Sequence, residues 1–501
     1  MLRKTRTMLG LVFLLGMAWL FLDFTGIAHR WLGWMAKVQF VPAILALNVV
    51  AVVLLVVLTL LLGRVYCSVV CPLGVFQDVV AGLHSRRKKN RYRYSRPHTW
   101  LRTAFLVLFI AMLVLGSVSA AALIEPYSAF GRMAATLLQP LYMLANNGLA
   151  ALAEHADSYA FYSVPVWVAS VPTLIVAAVT LAVVVTLAWM GGRTYCNTVC
   201  PVGTLLGLLS RNAWFRPVID TGKCNGCGRC ERNCKATCID SRNHRIDYSR
   251  CVDCMDCMDV CSQHAITFAH AAADKGKHVQ SAPEENGQHN VADEGKRAFL
   301  LAAAVTSASA LLAQEKKKTD GGLAVIEDKR VPERQTPLTP PGSHSARHFA
   351  QHCTACQLCV SKCPNQVLRP SSGLSSFMQP VMSYERGYCR PECNVCSEAC
   401  PTGAIRPITL PEKSALQIGH AVWVQKNCVP LTDGVACGNC ARHCPTGAIT
   451  MVPSDPNDQN SLKVPAVNEA RCIGCGACEN LCPARPFPAI YVEGHEVHKE
   501  I

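Results

Sequence analysis

Four long apolar runs mark the first part of the chain, at residues 8–22, 41–62, 103–124 and 164–190. Three of them reach or exceed the roughly 20 residues with which a helix crosses a bilayer. The first is shorter, but from Leu9 to Phe24 the only charge is Asp23. The pattern predicts four transmembrane helices. A signal peptide is the alternative for the first, since Arg3, Lys4 and Arg6 precede it. No small-residue cleavage site follows, however, and Trp31 and Trp34 stand as interfacial anchors would. A further apolar stretch, residues 298–313 after Lys296-Arg297, sits at the short edge for a span. It reads as a fifth helix, an internal export-like signal or a buried helix. The implied order is a transmembrane bundle over 1–215, a cysteine-rich domain over 216–270, a polar linker over 271–348 containing that stretch, and a second cysteine-rich domain over 349–501.

Charge orients the bundle. Arg86, Arg87, Lys88, Lys89, Arg91, Arg93 and Arg96 lie between the second and third runs, whereas the loop 125–163 carries only Arg132. Lys and Arg favour the cytoplasmic side. The N-terminus and the basic loop are therefore expected inside, and loops 23–40 and 125–163 outside. The net charge of +14 invites a nucleic-acid reading, but half of the residues are hydrophobic and only 16% are charged. The basic run between two spans is explained by topology, and no nucleic-acid partner is expected.

Composition changes the picture at one residue type. There are 29 cysteines in 501 residues, an odd number that disulfides cannot exhaust. Twenty-four fall into six quartets. Cys224, Cys227, Cys230, Cys234 and Cys251, Cys254, Cys257, Cys261 share the spacing C-x2-C-x2-C-x3-C, as do Cys353, Cys356, Cys359, Cys363 and Cys472, Cys475, Cys478, Cys482. Cys389, Cys393, Cys396, Cys400 widen the first gap, and Cys428, Cys437, Cys440, Cys444 stretch it further. A cubane [4Fe–4S] cluster offers four irons, each taking one thiolate, and three closely spaced cysteines wrap one corner while the fourth serves the neighbouring cluster. A short helix is expected after the fourth cysteine and its proline. Gly226, Gly228, Gly474 and Gly476 would let the loops bend tightly. Structural zinc usually separates two C-x2-C pairs more widely. Six [4Fe–4S] clusters are therefore expected.

By the crossover rule one cluster takes Cys224, Cys227, Cys230 and Cys261, and the next takes Cys251, Cys254, Cys257 and Cys234. Cys238, four residues after Cys234, is a rival ligand, with Cys234 favoured on spacing. For the last four quartets, pairing of neighbours and nesting both satisfy the spacing. The near-identical Pro401-Thr402-Gly403-Ala404-Ile405 and Pro445-Thr446-Gly447-Ala448-Ile449 indicate duplicated modules.

Four cysteines remain, in Arg64-Val65-Tyr66-Cys67-Ser68-Val69-Val70-Cys71-Pro72-Leu73-Gly74 and Arg193-Thr194-Tyr195-Cys196-Asn197-Thr198-Val199-Cys200-Pro201-Val202-Gly203. The repeated R-x-Y-C-x3-C-P-x-G argues for two related halves. If each pair lies i,i+4 on a helix, its thiols face one way, and all four meet near the membrane surface. A redox dithiol, a metal site, a contact for quinol electrons and plain buried packing are the open readings.

At these residues the chain resembles known families. The bundle with paired C-x3-C-P motifs and a following two-cluster domain is similar to NapH-type membrane polyferredoxins, to MauN and more distantly to NosR-like proteins. From Lys296 onward, with Pro340-Pro341-Gly342 and Phe349-Ala350-Gln351-His352 before the next cysteine motif, it resembles the four-cluster NapG and MauM type. The resemblance implies an all-α transmembrane bundle joined to α+β bacterial-ferredoxin-like domains. It also implies a multi-pass inner-membrane protein in which quinol from the quinone pool, menaquinol in particular, is the donor. Electrons would pass through the clusters to a terminal reductase such as periplasmic nitrate reductase, or to a cytochrome. A NosR-like role, supplying electrons to mature a metalloenzyme, is the alternative. The C-terminal domain is expected outside, although Lys296-Arg297 replaces the twin arginine of NapG-type signals. Asp23, His29 and Glu125 are candidates for the proton chemistry of quinol. No C-x-x-C-H haem attachment motif occurs.

Overall fold

The computed structural model describes residues 2–85, 92–158, 160–271 and 328–501. The basic stretch from 86 to 91, the linker from 272 and the apolar run 298–313 lie outside the described residues.

Among the described residues, only two apolar runs form helices long and apolar enough to cross a membrane, α1 (Leu2–Leu22) and α11 (Val171–Gly191). The other two are interrupted, so four helices of that length are not seen among the described residues. After α2 (Ile27–Lys37), the run 41–62 begins in α3 (Phe40–Leu45), turns at Leu47 with φ 53, and restarts at α4 (Val49–Leu62). The restart is fixed by Asn48, whose side chain accepts from the Ala51 N–H. After α5 (Val65–Val69) and α6 (Pro72–Ser85), α7 (Thr99–Val114) stops before Gly116, at φ 76, and α8 (Val118–Ala121) follows. With 14 and 16 residues, α4 and α7 span about 21 and 24 Å. The chain then forms α9 (Pro126–Met133), a π turn at Ala134–Leu138, α10 (Gln139–Glu154) and, beyond α11, the short α12 (Thr194–Thr198) and α13 (Pro201–Ser210). Met17, Leu20, Phe21, Tyr66, Tyr127 and Leu206 lie at the centre of the bundle core.

The first cysteine-rich domain folds as a small α+β unit. Its outer strands β1 (Phe215–Ile219) and β4 (Ile266–His270) pair antiparallel, with β2 (Ile239–Asp240) and β3 (Arg245–Ile246) between them in sequence. Two one-turn helices, α14 (Arg229–Arg232) and α15 (Asp256–Asp259), complete it. The second domain holds β5 (Leu368–Pro370) on β6 (Pro380–Met382), β7 (Leu416–Trp423) on β10 (Ile490–Glu500), and the hairpin β8 (Ile449–Asp455) and β9 (Asp458–Val467).

These two domains dock at opposite ends of the bundle helices. At the start of α1, Arg3 reaches Asp256 at 2.9 Å and Asp259 at 2.6 Å. Just past its end, Asp23 meets Lys362 at 2.9 Å. Near the start of α7, Arg102 donates to the Ser249 carbonyl at 3.0 Å, and beyond its end Gly116 lies against Gln351. Just beyond α4, the Arg64 N–H donates to Asp253 at 2.8 Å, whereas before its start Ala46 lies against Gly403.

Candidate iron–sulfur sites

In every regular C-x2-C-x2-C loop the backbone turns left-handed twice, at the residues before and after the second cysteine. Gly226 and Gly228 do so at φ 69 and 66, as do Gly474 and Gly476 at φ 75 and 79. The same positions elsewhere hold Asp253 and Met255, or Ala355 and Gln357, all with positive φ. The loop shape therefore belongs to the spacing and not to glycine. The short helix precedes the fourth cysteine instead of following it: α14 carries Cys230, α15 carries Cys257, and Leu358–Lys362 and Ala477–Leu481 carry Cys359 and Cys478. One helical turn spans the C-x3-C gap, and the proline that often follows cannot extend it.

The quartets exchange their fourth members between neighbours. Cys224, Cys227, Cys230 and Cys261 line one pocket. Cys234, Cys251, Cys254 and Cys257 line another, and Cys238 joins them there with its sulfur 3.5 Å from that of Cys234. The hydrogen bond with Cys238 first of all, against the upward push of burial, brings the Cys234 thiol down to about 7. In the second domain Cys353, Cys356 and Cys359 gather with Cys400, and Cys389, Cys393 and Cys396 with Cys363. Cys428, Cys437 and Cys440 gather with Cys482, and Cys472, Cys475 and Cys478 with Cys444. Of the two arrangements open from spacing, neighbours are brought together and nested pairs are not.

The residues fit [4Fe–4S] ligation in two respects. First, backbone N–H groups point at the fourth sulfurs: Ala265 N to Cys261 at 3.3 Å, Val367 N to Cys363 at 3.4 Å, Ile405 N to Cys400 at 3.5 Å and Ala489 N to Cys482 at 3.3 Å. Such bonds to sulfur help set cluster potentials. Second, burial lifts the thiols, Cys230 and Cys440 to about 11 and Cys356 and Cys475 to about 12. Thiolates at these positions call for a cationic partner, which iron supplies. Among the described residues no three His, Cys, Asp or Glu side chains converge on the scale of a single ion.

The paired C-x3-C-P motifs meet, but not as i,i+4 neighbours on one helix. Cys67 lies in α5, and Cys71 stands at the break before α6. Cys196 lies in α12, and Cys200, extended at ψ 117, caps α13 by accepting from the Gly203 N–H. The cause is Pro72 and Pro201, which bar the preceding residue from the helical region. All four thiols are buried, and Cys71 and Cys200 each lie within electrostatic reach of both Cys67 and Cys196.

The proton candidates have structural partners. Asp23 accepts from the Thr25 and Ala28 N–H groups as well as Lys362. Glu125 caps α9 through the N–H groups of Tyr127 and Ser128. His29 packs over Gly33, and burial lowers its pKa. Residues with no signal in the sequence join the site. Asp78, on α6, binds Arg193 at 2.9 Å and Arg6 at 2.8 Å, with Lys235 at 3.7 Å. Burial raises its carboxyl, but those cations overcome it and hold the group far below the usual range. The second half of the repeat has Gly207 at that place, so no repeat marked it.

Comparison with known proteins agrees with this chemistry. A 4Fe-4S binding domain family matches residues 44–91 and 171–221, a second such family matches 244–267, and the 4Fe-4S dicluster domain family matches 435–485. The chain is 34% identical over 170 residues to the methylamine utilization ferredoxin-type protein MauM of Methylobacillus flagellatus, covering 32% of this chain and 70% of that protein. It is 32% identical over 190 residues to the ferredoxin-type protein NapG of Escherichia coli, covering 35% and 80%. With the ferredoxin-type protein NapF of Escherichia coli it shares 29% over 159 residues, covering 32% and 87%. No solved structure matches.

Proposed function

We propose that this chain, which belongs to the family of ferredoxin-type iron–sulfur electron-transfer proteins that includes MauM and NapG, is a multi-pass inner-membrane conduit. In this reading its bundle takes electrons from quinol and passes them through six [4Fe–4S] clusters to an external reductase or cytochrome. The 24 quartet cysteines are the ligands, grouped as described above.

The observation that carries the reading is the serial contact of the sites. The group of Cys353, Cys356, Cys359 and Cys400 lies against the bundle, where a Cβ on Gly131 of α9 would fall 2.4 Å from the Cys356 carbonyl. The group of Cys363, Cys389, Cys393 and Cys396 comes next, and the Cys389 N–H donates to the Cys475 carbonyl at 2.9 Å. Cys478 in turn lies within reach of Cys440. Within the second domain electrons therefore have a serial route from the bundle to the Cys428 end. The part of the chain's residues is to hold the sulfurs in place, keep water away and tune potentials with N–H donors.

Three features support the membrane setting. The outer faces of α1, α4 and α11 expose Val12, Leu15, Leu54, Val57, Val179 and Val183, apolar side chains suited to lipid. The docking of the two domains at opposite helix ends matches a cytoplasmic first domain and a second domain outside. A cavity of about 270 Å³, lined by Phe24, Gln139, Tyr162, Trp167, Lys362 and Cys363 among others, opens where bundle and second domain meet. It brings a cysteine ligand of the second domain to the outer end of the bundle, as a conduit between the two requires.

A reporter fused after Ile501 tests the sidedness. Alkaline phosphatase activity is expected, and a fluorescent cytoplasmic fusion would refute export. Anaerobic iron analysis is expected to give at least about 24 iron atoms per chain, six cubanes of four; about 8, or stoichiometric zinc, would refute the cluster count.

A further inference from the structure

The six quartets leave the four C-x3-C-P thiols without a role, yet the fold builds an elaborate setting around them. Arg64 and Arg193 are both fully buried, and each crosses into the opposite half of the repeat. Arg64 donates to the Cys196 carbonyl at 3.3 Å and lies 3.8 Å from the Cys67 sulfur. Arg193 donates to the Cys67 carbonyl at 2.7 Å and lies 3.8 Å from the Cys196 sulfur. Gly74 and Gly203 make the crossing possible, because a Cβ there would fall 2.6 Å from the Arg193 guanidinium and 2.8 Å from that of Arg64. Two further N–H groups aim at sulfur, Gln77 Nε2 at Cys196 and Gly203 N at Cys200, each at 3.3 Å.

Charge makes the setting informative. Arg193 is balanced by Asp78. The Arg64 guanidinium bonds to Asn197 Oδ1 at 2.9 Å and to the carbonyls of Ser249 and Cys196, and its Nε has no partner. Among the described residues no carboxylate pairs with it; Asp253 takes its backbone N–H instead. A buried, unpaired cation is strongly unfavourable, and neutral thiols do not offset it. Thiolates bound to metal do.

We propose that Cys67, Cys71, Cys196 and Cys200 hold a seventh iron–sulfur cluster, assembled across the two halves of the bundle with Arg64 as its counter-charge. Each of the two regions matched by the 4Fe-4S binding domain family contains only two cysteines of such a site, so one cluster requires both. Its position makes it a relay. On one side the Arg193 N–H donates to the Lys235 carbonyl at 2.8 Å and Asn197 Nδ2 to the Ala236 carbonyl at 3.3 Å, next to Cys234. On the other, the Tyr195 hydroxyl donates to the Ile124 carbonyl at 2.8 Å, beside Glu125, and Tyr127 lies within reach of Cys356. In each transfer one electron leaves the cluster of one domain, reduces this cluster by one, and then reduces the cluster of the other domain; no bond is made or broken. The relay rests on the electron-transfer reading above, but the site does not.

The test is iron content and low-temperature EPR of the anaerobically purified chain and of its Cys71→Ser/Cys200→Ser variant. The expected wild-type value is about 26 to 28 irons, two to four beyond the six cubanes. The variant should lose those irons and one EPR component while the rest persist. Equal iron and equal spectra in both chains overturn the proposal, whereas a wild-type value near 8 would overturn the six-cluster reading instead. If the variant does not accumulate, the wild-type ratio decides: about 24 overturns the seventh cluster. Arg64→Gln, with Arg64→Lys as its control, should lower the midpoint potential of that EPR component selectively, since a removed positive charge disfavours the reduced state; an unchanged potential removes Arg64 from the site.

Discussion

Lys362 fixes the second cysteine-rich domain to the bundle with a buried ion pair, its side chain 1% exposed and that of Asp23 4%. Removing one partner strands the other charge. Lys362→Met should cost about 3–5 kcal/mol, read as a lower thermal midpoint, and adding Asp23→Asn should recover most of it. His498 makes a pH prediction. Burial first, then His495 and His344, pushes its pKa down to about 4, and its Nε2 lies 3.0 Å from the Thr339 hydroxyl. The ordinary unfolded value is near 6.5, so the folded state binds the proton less readily than the unfolded chain. The associated stability is present above pH 6.5 and is lost as pH falls toward 4, by about 3 kcal/mol. His498→Gln should flatten that part of the pH–stability curve, and an unchanged slope would refute the assignment. None of this was legible in the sequence. Asp23 was visible as the lone charge ending an apolar run and as a proton candidate, but not as half of an ion pair, because its partner stands 339 residues away.

At the scale of elements, spacing carried far and hydropathy less far. The C-x2-C-x2-C loops adopt one backbone shape whichever residues fill them, so the ligand quartets are legible in the order of the residues. What spacing left open was the pairing of the last four, since that depends on the folding of strands between and after the quartets, notably β7 against β10. Apolar runs located the bundle but not its breaks. A run of apolar residues says nothing about Leu47 or Gly116 turning left-handed. The glycines of the C-x3-C-P repeat bear most directly on a test. At Gly74 and Gly203 a Cβ would meet the carbonyls of Cys67 and Cys196 at 2.2 Å, as well as an arginine. Both contacts are with groups that have little room to yield. Gly203→Ala should therefore lower the yield of folded chain, whereas Gly82→Ala, with open space around its site, should not.

The molecule as a whole is two iron–sulfur domains held at the two ends of one set of helices. The resemblance seen in the sequence joined two kinds of protein in one chain, and the structure gives that joining a physical form: Arg3 and Asp23, at the two ends of α1, each anchor one domain. Neither apolar periodicity nor charge bias reveals such contacts, which run between residues hundreds of positions apart. At 21 residues, α1 is about 30 Å long, the thickness of a hydrocarbon layer. On the reading that it spans that layer, an electron entering at one domain and leaving at the other crosses the full membrane voltage as an uncompensated charge. Each electron then gains or spends about 2.3 kcal/mol per 100 mV. The protein would thus act as a generator or consumer of membrane potential according to the direction of flow. In proteoliposomes a potassium diffusion potential of one sign should slow turnover, and the opposite sign should speed it.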